Sequence, residues 1–107
     1  MSARKGEGGK RARGEAATCK LRLWVSAAAP LSARAVVNTR AFCETHLAGR
    51  YELEILSIAD HVERASIDEV IAAPTLLRVW PLPVRRFIGD MSNPERLLDG
   101  LNLRREP

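Results

Sequence analysis

Three prolines interrupt the most strand-like segment of the chain, AAPTLLRVWPLPVRRFIGD at residues 72–90. Its Leu, Val, Ile, Trp and Phe content is typical of a buried strand. Proline, however, has no N–H to donate to a central ladder and is confined to strand ends, edges and turns. The segment is therefore predicted to form two short strands, residues 75–80 and 84–88, joined by the turn PLP. The prolines are Pro74, Pro81 and Pro83.

Two upstream segments alternate apolar and polar residues, which is the period of a half-buried strand. They are CKLRLWVS at residues 19–26 and YELEILSI at residues 51–58. Residues 32–47 between them are predicted to form a helix that Pro30 precedes and Gly49 ends. A helix between two successive strands favours a β-α-β unit with a parallel pair. The predicted apolar face of this helix consists of Val36, Val37, Ala41, Cys43 and Leu47.

Two shorter helices complete the predicted order. Residues 60–72 are predicted to form the second helix, with an imperfect apolar side. The last helix is predicted to begin at SNPE, where Ser92 would be the N-cap and Glu95 its partner in a capping box. The order along the chain is then β-α-β-α-β-β-α, which is an α/β fold.

The composition is that of one globular domain with a basic N-terminal end. The chain has 107 residues, 46% of them hydrophobic, so one modest core is expected. Residues 1–18 hold five basic and two acidic residues and four of the seven glycines, which predicts a disordered basic tail. We expect the folded domain at residues 19–104 and a short C-terminal tail at residues 105–107.

Composition also bears on partners and location. The basic tail has no aromatic residue to stack on bases, so nucleic-acid binding is not expected. No apolar run approaches the roughly 20 residues that span a bilayer, and no signal-peptide core follows the basic N-terminus. We therefore expect a cytoplasmic protein without a membrane partner.

Cysteine and histidine residues are too sparse to predict a metal or redox site. Cys19 and Cys43 form no C-x-x-C pair, and the only histidines, His46 and His61, add no zinc-ligand spacing. Cys43 fits the apolar pattern of the first helix as a core residue, and a disulfide is not expected in a reducing cytosol. No group of residues fits a nucleotide or a flavin. We therefore predict no catalytic residue, no cofactor and no metal.

The order β-α-β-α-β-β-α, with a proline at the start of the third strand, resembles the thioredoxin-like fold. Pro74 in APT occupies the place of the proline that is usually cis in that fold. The redox centre of thioredoxins lies between the first strand and the first helix. Here that place reads SAAAPLS and has no cysteine, so thiol–disulfide chemistry is not expected.

A narrower resemblance, over residues 21–103, is to the KaiB family of circadian clock proteins from cyanobacteria and other bacteria. It is carried by LRLWVSAAAPLSARAVVN, by YELEILSI and by the stretch from AAPTLL to DGLNL. Its most specific part is P-T-L followed by P-x-P-V-R-R and I-G-D-x-S.

The resemblance implies a regulator without enzymatic activity. KaiB proteins interconvert between a ground-state fold, β-α-β-β-α-α-β and often tetrameric, and a thioredoxin-like monomer that binds the ATPase ring KaiC. We therefore expect a KaiC-like ATPase as the partner and a homo-oligomer, dimer or tetramer, in the ground state. The alternative is an interaction module that serves another signalling or stress protein, such as a sensor histidine kinase or another clock output protein.

Six residues are candidates for control of the change of fold: Pro74, Pro81, Pro83, Asp90, Gly100 and Asn102. Slow X-Pro isomerisation would let the prolines set the boundary and rate of the change. Alternatively, they define turns and protect an edge strand. Gly100 and Asn102 stand where family members have a glycine and an aspartate. Glycine weakens a helix, so Gly100 would weaken the form in which its segment is helical, or it caps the helix. Asp90 is alternatively a turn residue.

The resemblance also implies six partner-binding residues: Arg34, Tyr51, Glu52, Glu54, Arg85 and Arg86. The arginines would pair with carboxylates of an acidic partner; the alternative is a solvated basic edge. Cyanobacterial relatives tend to have lysine at Glu54 and Glu69, and reversed charges change the electrostatic complementarity of an interface. The partner is then a divergent KaiC or a different protein. Trp24 and Trp80 are predicted to be core or subunit-contact residues.

Overall fold

The computed structural model describes residues 19–103, which form seven elements in the predicted order. The predicted tails at residues 1–18 and 105–107 lie outside the described residues. The boundaries predicted for the four strands and the first helix agree with the structure within one residue. The third helix begins one residue later than predicted, and the second helix is shorter than predicted. The elements are β1 (Cys19–Val25), α1 (Ser32–His46), β2 (Tyr51–Ser57), α2 (Val62–Ile67), β3 (Thr75–Trp80), β4 (Arg85–Ile88) and α3 (Pro94–Gly100).

The four strands form one sheet in the order β2-β1-β3-β4. β1 pairs in parallel with β2, as predicted, and antiparallel with β3. Leu23 therefore lies between Ile55 of β2 and Leu76 of β3. β4 pairs antiparallel with β3. The two edges of the sheet are consequently β2 and β4, and these strands carry most of the predicted partner-binding residues.

The two faces of the sheet are covered unequally. The larger core lies under α1 and α3 and contains Cys19, Leu21, Leu23, Ala35, Phe42, Cys43, Leu47, Leu76, Met91, Leu97, Leu98 and Leu101. The smaller core lies under α2 and contains Trp24, Leu56, Ala65 and Leu77. Trp24 is thus a core residue, whereas the Trp80 side chain is 49% exposed. Ala65 is the only buried residue of α2, so this short helix covers only part of its face.

The predicted apolar face of α1 was partly wrong. The buried residues of this helix are Ser32, Ala35, Thr39, Phe42 and Cys43, whereas Val37 is 66% exposed. They recur at helical spacing, but the stripe includes polar Ser32 and Thr39, so counting apolar residues alone shifted the face toward the valines.

The start of α3 was also predicted wrongly. Asn93, not Ser92, is the N-cap, and its side-chain oxygen accepts a hydrogen bond of 3.2 Å from the Arg96 backbone N–H. Pro94 is the first helical residue, where its missing N–H costs nothing. The residue before a proline is driven to extended backbone, and Asn93 has φ −114° and ψ 100°. The proline therefore moves the cap one residue along.

α2 is shorter than the predicted helix at residues 60–72. It ends at Ile67, and Glu69 follows with φ 57°, in the left-handed region that a continuing helix cannot enter. Ile67 and Ile71 are consequently 79% and 87% exposed. Helix α2 is therefore attached to the sheet face of the smaller core chiefly by polar contacts.

Candidate partner-binding surface

The three prolines stand at the strand ends, as the sequence predicts. Pro74 is buried directly before β3, and Pro81 and Pro83 are exposed in the turn between β3 and β4. The bonds Ala73–Pro74, Trp80–Pro81 and Leu82–Pro83 are all cis. Their placement agrees with the turn and edge interpretation, and their influence on a change of fold stays a prediction.

Glu54 on edge strand β2 is engaged by two arginines. Its carboxylate accepts hydrogen bonds from Arg64 Nη1 and Nη2, both of 3.0 Å, and from Arg22 Nε at 3.1 Å. The Arg64 hydrogen bonds, helped by those of Arg22, hold the pKa of Glu54 below its usual range. Glu54 was predicted to present its negative charge to a partner, but Arg64 and Arg22 already neutralise most of that charge within the molecule.

Arg22 and Arg86 extend these contacts to the end of α2. Arg22 Nη1 donates to both carboxylate oxygens of Asp68, at 2.9 and 3.1 Å. Arg86 donates to the main-chain oxygens of Asp68 and Glu69, each at 2.9 Å. Sequence reasoning missed Arg22, Arg64 and Asp68, because no local pattern joins residues 46 positions apart.

Among the predicted partner-binding residues of the two edge strands, Glu52 and Arg85 are the ones without a partner in residues 19–103. Both side chains are exposed, and neither forms a hydrogen bond or ion pair with residues 19–103. Glu52 borders an open groove of about 280 Å³ on the α2 face of the sheet. The other residues lining the groove are Lys20, Leu21, Arg22, Leu53, Glu54 and Val79.

Tyr51 opens β2 next to Glu52 and contacts helix α1. Its hydroxyl donates a hydrogen bond of 2.5 Å to Glu44 Oε2. Burial and this hydrogen bond raise the pKa of Tyr51 to about 12, so the phenol is protonated at physiological pH. Tyr51 thus offers a partner a neutral, half-buried ring that is fixed in place by α1.

Arg34 and Asp90 lie at the junction of α1 with the loop before α3. The Asp90 carboxylate accepts a hydrogen bond of 3.0 Å from the Ser92 backbone N–H. Hydrogen bonds from the Ser92 side chain and backbone, together with nearby Arg34, lower the pKa of Asp90. The Asp90 main-chain oxygen accepts a hydrogen bond of 2.9 Å from Asn38 of α1. These contacts agree with Asp90 as a turn residue that anchors the loop.

Gly100 is the last residue of α3 and lies against Phe87 of β4. A Cβ added to Gly100 would stand 3.0 Å from Phe87 Cδ1, which is closer than almost all real contacts of this kind. Leu101, not Gly100, is the C-cap, and exposed Asn102 follows with φ 55°. The close approach to Phe87 gives Gly100 a packing role that the sequence did not reveal.

The predicted partner-binding residues do not form one patch. Tyr51, Glu52 and Glu54 lie on edge strand β2, and Arg85 and Arg86 lie on the opposite edge strand β4. Arg34 lies apart from both, on the first turn of α1. A partner that contacted all six residues would therefore have to meet at least two separate surfaces, which carry opposite charges at Glu52 and Arg85.

The two thiols belong to the larger core. Cys19 and Cys43 are free and buried. Burial raises the pKa of Cys19 to about 11 and that of Cys43 to about 12. Within residues 19–103, no three His, Cys, Asp or Glu side chains gather as a metal site would require. Over the same residues, no helix has the length and apolar character needed to cross a membrane.

Comparison with protein families matches residues 22–103 to the KaiB domain. The chain belongs to the KaiB family. "Circadian clock oscillator protein KaiB" of Parasynechococcus marenigrum is 41% identical over 83 residues, which cover 78% of this chain and 80% of that protein. The protein of the same name from Synechococcus elongatus is 40% identical over 83 residues, 78% of this chain and 81% of that protein.

The fold has a counterpart among solved structures. The N-terminal domain of SasA from Synechococcus elongatus superposes with a TM-score of 0.65, over 94% of this chain and 98% of that domain. Sequence identity in this pair is 17%, so the likeness concerns the fold alone. This KaiB-family chain therefore has the thioredoxin-like order β-α-β-α-β-β-α, and not the alternative order β-α-β-β-α-α-β.

Proposed function

We propose that the protein is a non-enzymatic regulator of circadian-clock type, which binds a KaiC-like ATPase ring in its thioredoxin-like form. The observation that carries the proposal is the match of residues 22–103 to the KaiB domain. Relatives named as circadian clock oscillator proteins, 40–41% identical over 83 residues, support it.

Of the candidate contact residues, Glu52 and Arg85 are the best placed to bind the ATPase. Their charges are exposed and unengaged within residues 19–103. Glu54 and Arg86 already donate or accept internal hydrogen bonds, so a partner would have to compete for them. Glu52 therefore contacts a basic group of the ATPase, and Arg85 an acidic one. Tyr51 adds apolar area beside Glu52.

The change of fold belongs to the same proposal. In its resting form the chain takes the order β-α-β-β-α-α-β as a homo-oligomer, and the segment from α2 onward rearranges. Helix α2 buries only Ala65 and so has little apolar contact with the sheet. This supports a small free-energy difference between the two folds of the segment that begins at α2. The candidates that set the balance remain Pro74, Pro81, Pro83, Asp90, Gly100 and Asn102.

A second candidate function is an interaction module that serves a sensor kinase. The acidic residues Glu54 and Glu69 favour it, because the family resemblance leads us to expect lysine at both positions and reversed charges change the electrostatic complementarity with a KaiC-like ring. The two functions differ in their partner, since the first requires an ATPase ring and the second does not.

Titration with a purified KaiC-like ATPase in the presence of ATP tests the proposal. We expect binding by the wild type, and a loss of about tenfold or more in affinity for Glu52→Arg and for Arg85→Glu, since about 1.4 kcal/mol corresponds to tenfold. Glu63→Arg is the control, because Glu63 is exposed on α2 and belongs to neither edge strand. Wild-type binding that both edge variants retain would overturn the proposed surfaces. No binding by the wild type would overturn the proposed partner.

A further inference from the structure

Arg78 of β3 is a buried cation in the larger core. The residue is 3% exposed and lies opposite Leu21 of β1 and Arg85 of β4. Arginine keeps its proton in proteins, so the guanidinium is charged although it is removed from water. A buried charge of this kind is costly unless its donors are satisfied. The partners of Arg78 therefore decide what the residue does.

The guanidinium is held by main-chain oxygens of two separate segments. Nη1 donates to Leu101 at 2.9 Å and to Asn102 at 3.1 Å, directly after α3. Nη2 donates to Pro83 at 2.8 Å, in the turn between β3 and β4. No carboxylate of residues 19–103 forms an ion pair with Arg78. Its Nε is buried and lacks a hydrogen-bond partner within those residues.

This arrangement couples the two segments through one side chain. If the end of α3 left the sheet while the turn stayed, Nη1 would lose both its acceptors and the Pro83 oxygen alone would hold the guanidinium. If the turn left first, Nη2 would be orphaned in the same way. Leaving a buried charge with only some of its partners costs more free energy than separating it from all of them and returning it to water. Partial release of either segment is therefore disfavoured.

We propose that Arg78 is a positioning residue that couples the end of α3 to the β3–β4 turn, so that both segments leave the sheet as one unit. Only the biological role of this coupling rests on the proposed function, because the coupled unit would be released when the fold changes. The planar fork of the guanidinium is required, because the single ammonium of lysine does not reach acceptors on both sides at once.

Amide hydrogen exchange by NMR tests the coupling in the free wild-type monomer, recorded under conditions where helical shifts at residues 94–100 identify the thioredoxin-like form. The reporters are the amides of Leu101, Asn102 and Leu103, which donate to main-chain oxygens of α3, and the amides of β4. Measured with rising urea, both groups should share one opening equilibrium and one urea dependence. Two distinct openings would overturn the proposal.

Arg78→Lys gives the second test, with Arg22→Lys as the matched control on the opposite face of the sheet. In Arg78→Lys, exchange should accelerate by about tenfold or more in both reporter groups and by the same factor, while β1 and β2 keep their protection. The control should leave both groups unchanged. Acceleration at the α3 end alone, or in neither group, would overturn the coupling. Since no ATPase is present, failure here leaves the proposed partner untouched, and failure of ATPase binding leaves this result standing.

Discussion

Asp68 accepts a hydrogen bond of 2.8 Å from the indole Nε1 of Trp24. Trp24 is fully buried in the smaller core, and Asp68 follows the last residue of α2. This carboxylate also binds Arg22, so it attaches α2 to the central strand β1. The contact compensates for the small apolar area of α2.

Replacement of Asp68 by alanine is therefore expected to destabilise the protein by about 2–4 kcal/mol, because it leaves a buried N–H of Trp24 without an acceptor and removes the two hydrogen bonds of Arg22 Nη1. Urea unfolding followed by tryptophan fluorescence measures the change. Asp60→Ala is the control, since Asp60 is exposed in the turn after β2 and its loss should stay within about 0.5 kcal/mol. Equal stability of the two variants would contradict the role of Asp68.

The Gly100–Phe87 approach predicts a non-additive effect. Alanine in a helix is favoured over glycine by about 1 kcal/mol, but the new Cβ would stand 3.0 Å from the Phe87 ring. We expect Gly100→Ala to change the free energy of unfolding by about zero in the wild-type background and to stabilise the Phe87→Leu background by about 0.5–1 kcal/mol. Urea unfolding of the four proteins measures both. A full gain with Phe87 present would show that the ring moves aside at no cost.

Acid should remove the contribution of Glu54 to stability. The folded-state pKa of Glu54 lies below its ordinary value of 4.5 because Arg64 and Arg22 donate to the carboxylate. A carboxylate whose pKa is lower in the folded state stabilises the fold at pH values above its unfolded-state pKa. This stabilisation is lost as the pH falls through the folded-state pKa. Unfolding midpoints of Glu54→Gln should thus fall less steeply than those of the wild type below about pH 4.5. Glu52→Gln, at an exposed carboxylate, should follow the wild type; parallel curves for all three proteins would contradict the assignment.

The thiols should be unreactive in the folded protein. Burial raises the pKa of Cys19 to about 11 and of Cys43 to about 12, so little thiolate forms near neutral pH. Alkylation by iodoacetamide is expected to be at least ~100-fold slower in the native protein than in urea. Mass spectrometry of the labelled protein measures both rates. Native labelling at the rate of a free thiol would show that the core opens readily around β1.

The sequence was most informative where the chain chemistry is local. Prolines cannot join a central ladder, so Pro74 and Pro81 marked both ends of β3. Alternation predicted β1 and β2, and the helix between them predicted their parallel pairing. Local patterns also misled, because Thr39 is a buried polar residue and because Pro94 moved the cap to Asn93.

The site was less predictable because it depends on contacts between distant segments. Nothing near Asp68 indicates that it receives the indole of Trp24, 44 positions away. Arg78 stands in a strand of apolar residues, and its carbonyl partners come from segments whose position only the fold determines. Similarly, the sequence alone could not show that Glu54 is engaged while Glu52 has no partner within residues 19–103.

Binding of a KaiC-like ATPase ring by the thioredoxin-like form is tested most directly by NMR of isotope-labelled protein in complex with the unlabelled ring. We expect a complex to form, in which residues 94–100 have helical chemical shifts, as in α3. Absence of a complex at micromolar concentrations, or extended shifts for residues 94–100 in the bound protein, would contradict it.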